Sequence, residues 1–353
     1  MAILPIVFAI LGAPATPAVT GTAFATAPQG TYAVVARSEE AADVVSVVLA
    51  SNPSDAMEVG RVPHLPGYAS TGTVSADGRK LALVAADGGS QAHPRSSVLE
   101  LDLETGTLTR LALDVDYLVT PVWRPDGKAV IATRTLQNEE SPFATVTLLA
   151  ARTDASGEEE VARFEDVLGA YPVGFDPSGE LISVVIDGDG STAYRGTTPV
   201  AHLSEHITRD WQLSPDGTQL AFIETNLSNG LRYLAGYVSL NAPGRSGAAR
   251  AMASGQGQQA GVAWKPGDPA PTFGREPGSQ ATIAGAPING VSAAGTGIDI
   301  PLLYAPDGEF LAVTNLSGRD FANPGSLQLQ VIAVSGERHT LSGYSRFFGW
   351  SAR

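Results

Sequence analysis

WRPDGKAVIATR, residues 123–134, runs from a large aromatic through a four-residue turn into an apolar strand. Pro125 presets φ at the first central turn position. Asp126 can bond its own backbone, and Gly127 takes a positive φ at no steric cost. The same phrase returns along the chain. Its turn reads SADG at 75–78, DPSG at 176–179, SPDG at 214–217 and APDG at 305–308, each followed by an alternating apolar strand. AWKPGDPAPTF at 263–273 is a degenerate copy, with Trp264 and Pro266 over Trp123 and Pro125. Taken at Gly78, Gly127, Gly179, Gly217, Asp268 and Gly308, the steps are 49, 52, 38, 51 and 40 residues. Periods of this length, with several short strands in each, predict the blades of a β-propeller.

The chain ends complete the count. YSRFFGWSAR (344–353) matches YLVTPVWRPD (117–126) and then stops, while APQGTYAVVAR (27–37) matches RPDGKAVIATR without an inner strand before it. Each end carries the half that the other lacks. The expectation is an all-β, seven-bladed β-propeller over residues 28–353, closed by pairing of the C-terminal strand with the N-terminal blade, which removes free sheet edges. The phrase resembles the TolB-type β-propeller repeat, a relative of WD repeats, over essentially everything beyond residue 27. That resemblance is specific for fold and nearly silent about chemistry. TolB-type proteins carry an α/β domain ahead of the ring, and the 27 residues before the first blade leave it without a counterpart here.

Composition narrows the function classes. A net charge of −14 with no basic stripe argues against nucleic acid. Cys 0 excludes disulfides, thiolate metal sites and a cysteine nucleophile. Residues 1–27 open on MAILPIVFAILGA and close on AFATA (23–27), and Arg37 is the first charged residue. The expectation is an apolar leader: an export signal ending in small-x-small sites, or a tail held to a membrane or a partner, although no Lys or Arg precedes the apolar run. Export places the protein in the periplasm or elsewhere outside the cytoplasm.

Candidate chemistry is sparse. HLSEH, with His202, Glu205 and His206, fits the letters of an inverted zinc-protease motif, but it sits where a blade's outer strand should be, not on a helix. Asp187 and Asp189 lie among glycines, where a hairpin turn explains them as well as a cation does. The recurring aromatics Trp123, Phe175, Trp211, Trp264, Tyr304 and Trp350 suit the wedge between neighbouring sheets. No G-x-S-x-G occurs, and the five scattered histidines, His64, His93, His202, His206 and His339, offer no motif for general-base work. No residue is therefore singled out as catalytic, cofactor-binding or metal-binding, and no cofactor is expected. Residues 240–261 and 273–297, Gly/Ala-rich and polar, are expected to lie outside the blade cores as contact regions.

The resulting expectation is a non-catalytic envelope propeller, not an enzyme. It binds or scaffolds protein as an accessory extracytoplasmic subunit of a membrane complex. The alternative is a propeller enzyme, or a small-ligand or sugar sensor, that uses the axial funnel.

Overall fold

The alternating apolar segments become antiparallel strands, and these gather into sheets in chain order. The computed structural model describes residues 22–138, 140–228, 230–241, 250–252, 257–276, 282–284 and 297–353. Six sheets carry four strands each. The first joins Arg346–Ala352 to Thr31–Ser38, Ala42–Leu49 and Ala56–Pro63. The second to fifth blades span residues 71–113, 122–167, 169–204 and 207–252, and the sixth spans 298–340. Between the fifth and sixth lies a sheet of three strands, Gln259–Ala263, Thr272–Arg275 and Thr282–Ala284.

The structure thus corrects the expectation of seven blades: six complete blades form. The physical reason lies in the degenerate copy. Its turn, KPGDPAP (265–271), carries three prolines that cannot donate to a ladder, and its later strands are only four and three residues long. Among the described residues that sheet has no fourth strand. The two segments expected outside the blade cores are corrected in part. Leu240, Gln259 and Ala260 are buried, and residues 250–252, 272–275 and 282–284 are strands. The stretches 242–249, 253–256, 277–281 and 285–296 lie outside the described residues.

The ring closes through the chain ends. Thr31 pairs with Ala352 and Ala36 with Arg346, with one bulge opposite Val34/Val35. Trp350 is 5% exposed and packs with Ala33, Val35, Ala305 and Val331, bridging the first and sixth blades. Its indole Nε1 donates to the Leu303 carbonyl at 3.2 Å. Trp123 donates likewise to Thr73 O (2.9 Å) and Trp264 to Gln212 O (3.1 Å). Each of these indoles therefore fills the wedge between sheets and satisfies its single donor on the preceding inner strand. Trp211 departs from this: it donates to Thr208 in its own blade at 2.8 Å and lies 4.9 Å from the Tyr171 ring.

The core also reaches past the expected boundary. Helix α1, Thr22–Ala25, precedes the first strand. Phe24 is 3% exposed, meets Tyr32 edge-to-face at 5.3 Å and sits under the Arg353 guanidinium at 5.7 Å.

The turns of the repeated phrase are built as their letters dictate. Gly78, Gly127, Gly179, Gly217 and Gly308 all have φ between 67° and 82°. Asp77, Asp176 and Asp216 accept hydroxyl and backbone donors, and all three carboxyls are held below the ordinary aspartate value. For Asp77 and Asp176 burial is the largest influence and pushes the carboxyl up. Donors from Ser75 and Arg79, or from Ser178 and Glu180, together outweigh it. For Asp216 the Ser214 hydroxyl leads. A carboxyl lowered by folding contributes stability that is complete above the unfolded value of about 4 and is lost as pH falls through the folded value. Replacing the three by Asn should therefore lower the melting temperature at neutral pH, with the gap to the parent narrowing as pH falls below the unfolded value of about 4. Thermal melts across pH check this; a gap independent of pH contradicts it.

Candidate partner-binding face

Because successive strands alternate in direction, the connections segregate. The turns from first to second and from third to fourth strand lie on one face, hereafter the turn face. The loops from second to third strand, and the links between blades, lie on the other, the loop face.

Apolar exposure follows this division. Among the described residues the exposed large aliphatics are Leu113, Leu118, Leu136, Leu168, Ile207, Leu227, Leu231 and Leu327. Leu113, Leu118 and Leu168 lie at or between blade junctions, and Ile207 begins an inner strand. Leu136 ends a second strand, Leu227 and Leu231 flank a second-to-third loop, and Leu327 begins a third strand. All eight are on the loop face. Single exposed leucines are ordinary, whereas apolar side chains gathered into a contiguous patch mark an interaction site. Leu118 is 79% exposed and Leu136 is 71% exposed, so neither contributes to the core.

Charged groups behind this face hold it in shape. Asp43, fully buried, accepts from Ser70 N (2.8 Å) and Ser70 Oγ (2.5 Å). It also accepts from Arg346 Nη2 (2.5 Å), whose strand closes the ring, and buried His64 lies 3.4 Å away. Asp299, also buried, accepts from Arg338 and from Asn315 Nδ2 (2.9 Å). Asp116 accepts from the Thr135 amide and hydroxyl, and burial raises its carboxyl above the ordinary range despite them.

A depression of about 550 Å³ opens along the inner strands of the fifth blade, the three-stranded sheet and the sixth blade; its lining includes Arg209, Asp210, Trp211, Tyr233, Gly261 and Leu302. Arg209 stacks 4.6 Å above the Tyr233 ring and donates to Asp210 at 2.6 Å. Asp210 holds a left-handed φ of 54°, a conformation that costs energy for a non-glycine and collects at functional sites. Gly261, φ 64°, has no room for a side chain: a Cβ there would stand 2.5 Å from Pro301 O. A smaller depression, about 210 Å³, is walled by Asp187, Glu205, His206, Ile207, Thr225 and Leu227.

The motif candidates fall differently from their letters. His202 lies on the outer strand Thr198–Ser204, with Nδ1 3.3 Å from Thr192 Oγ1, while His206 Nε2 lies 3.3 Å from Ser228 Oγ. The segment is not helical, and the two imidazoles do not share a site. Asp187 ends a strand and accepts the Asp189 amide at 2.9 Å in a hairpin turn. The structure does bring Asp187 beside Glu205 and His206, a juxtaposition across a blade junction that spacing did not announce. Among the described residues no group of three or more His, Cys, Asp or Glu is placed to hold a metal.

No family model matches the chain, and no curated protein matches it. Solved structures do. TolB from Acinetobacter baumannii matches with a TM-score of 0.53 at 13% identity, covering 91% of this chain and 65% of its own. The periplasmic gluconolactonase of Pseudomonas aeruginosa matches at 0.56 and 17%, covering 92% and 99%. A prolyl endopeptidase matches at 0.57 and 13%, covering 91% and 50%. This chain thus spans just under two thirds of that TolB and half of that peptidase. At such identities the likeness shows the propeller fold, within which the TolB type is one option. It also overturns the expectation that the chain is not an enzyme. A gluconolactonase and a prolyl endopeptidase contain the same ring, so the fold gives no ground for excluding catalysis.

Proposed function

We propose that this protein is a TolB-type partner-binding propeller of the cell envelope, an accessory subunit of a membrane-associated assembly outside the cytoplasm. The observation that carries this is that, among the described residues, the exposed large aliphatics fall on the loop face. The likeness to TolB and to a periplasmic gluconolactonase supports the location, as does the apolar segment ahead of the ring. In this reading residues 1–27 supply the address or anchor, and 28–353 the binding body. Among the described residues no helix is long and apolar enough to cross a membrane.

The experiment is co-purification of the full chain from detergent-solubilised envelopes after mild crosslinking. Replacing Leu118, Leu136 and Leu227 together by Ser should abolish recovery of the partner and leave the melting temperature unchanged, since all three side chains face solvent. Retained recovery would refute the role of this face.

The cavity at Arg209, Asp210, Trp211 and Tyr233 favours a second reading, a small-ligand or catalytic site. Its volume falls within the usual range for small-molecule pockets, about 300–1,000 Å³. Arg209→Ala should then abolish any ligand-induced rise in melting temperature.

A further inference from the structure

We propose that the segment received by the loop face is basic and amphipathic: a stretch of a protein partner that sets Lys or Arg beside large apolar side chains. This rests on the partner-binding reading and adds the partner's chemistry. The argument is charge complementarity across an apolar surface. Among the described residues, the second-to-third loops and the blade junctions contain a single Lys or Arg, Arg319, paired with Asp320 at 3.2 Å. At the strand ends on this face, Arg37, Arg95 and Arg209 are paired with Glu39, Asp114 and Asp210, and Arg232 follows Leu231. The loops and junctions themselves carry Glu40, Glu140, Asp189 and Glu205, which make no ion pair among the described residues.

The aliphatics and carboxylates interleave most closely between the fourth and fifth blades. There Ile207 (52% exposed) and Leu227 (66% exposed) wall the smaller depression together with Asp187 and Glu205. Asp189 stands on the adjoining turn. A long cationic side chain can lay its methylenes against Ile207 and Leu227 while its head reaches the carboxylates, the division of labour by which Lys and Arg cover apolar surface. An anionic lipid surface would be repelled by the same carboxylates, so a protein segment is the occupant that fits.

The test uses the purified full chain and a labelled Leu/Lys amphipathic peptide as probe, read by fluorescence anisotropy. A Leu/Glu peptide of the same pattern and anionic phosphatidylglycerol vesicles serve as competing occupants. The Leu/Lys probe should bind and weaken with added salt, as expected where exposed charges set recognition. Neutralising the face with E140Q/D189N/E205Q should weaken binding about tenfold, and I207S/L227S should weaken it comparably. Neutralising Glu159, Glu309 and Glu337, away from this face, should leave binding within about twofold. Equal loss in that control would reduce the effect to net charge and overturn the proposal. So would failure of the Leu/Lys probe to bind, equal binding of the Leu/Glu peptide, or binding to the vesicles. If partner recovery from envelopes depends on Leu118, Leu136 and Leu227 but not on the three carboxylates, the partner-binding function stands and this inference falls.

Discussion

A chain shortened by residues 344–353 should not hold the native ring. The deletion removes the inner strand of the first blade and every pair it makes with Thr31–Ala36. It also removes Trp350 and Phe348, at 5% and 6% exposure, and half-buried Phe347, which meets Trp350 edge-to-face at 5.2 Å. Losing one buried large aromatic typically costs about 3–5 kcal/mol, and whole domains are stable by only about 5–15 kcal/mol. The loss also exposes an unpaired strand edge, a template for aggregation. Circular dichroism and size-exclusion chromatography should therefore show an unfolded or aggregated product. A monomer with the parental melting temperature would contradict the closure.

The second large effect belongs to Phe24. It lies in the same cluster as Tyr32, Val59, Leu81 and Leu103. Arg353 caps it and donates to the Ala27 carbonyl at 3.3 Å, so the two chain ends lock against each other. Phe24→Ala should cost about 3 kcal/mol, at the lower end for a buried aromatic because its site is at the rim of the ring. Phe24→Leu should recover most of it. Chemical denaturation with unchanged m-value checks both; an unaltered midpoint for Phe24→Ala would show that the plug carries no energy. Because Phe24 is buried, cleavage at either small-x-small site of AFATA, after Ala25 or after Ala27, would take a core residue away.

Much of the architecture was legible because turn chemistry is local. Pro, Asp and Gly at fixed offsets announce a turn wherever they fall, and the indoles of Trp123, Trp264 and Trp350 occupy equivalent wedges because they occupy equivalent letters. The count of complete blades was not legible from the degenerate copy, since Trp264 and Pro266 preserve the phrase while the described strands after its proline-rich turn are only four and three residues long. Phe24 was hidden by its neighbours: in AFATA it reads as leader, and only the fold places Tyr32 and Arg353 around it. The loop face was hidden for another reason. Leu118, Leu136 and Leu227 look like core leucines in sequence, and their exposure follows from sitting where a strand ends and the alternation of faces no longer applies. The lining of one depression by Asp187, Glu205 and His206 spans a blade junction, which no spacing rule within one repeat can anticipate.

The proposal of a partner-binding face is tested most directly by photo-crosslinking in living cells, with a photoreactive residue placed singly at Leu118, Ile207 or Leu327 on the loop face, or at Glu104 or Glu309 on the turn face. The account predicts one discrete crosslinked protein species from each loop-face position and none from the turn face. Crosslinks confined to Glu104 and Glu309, or equal from both faces, would contradict it.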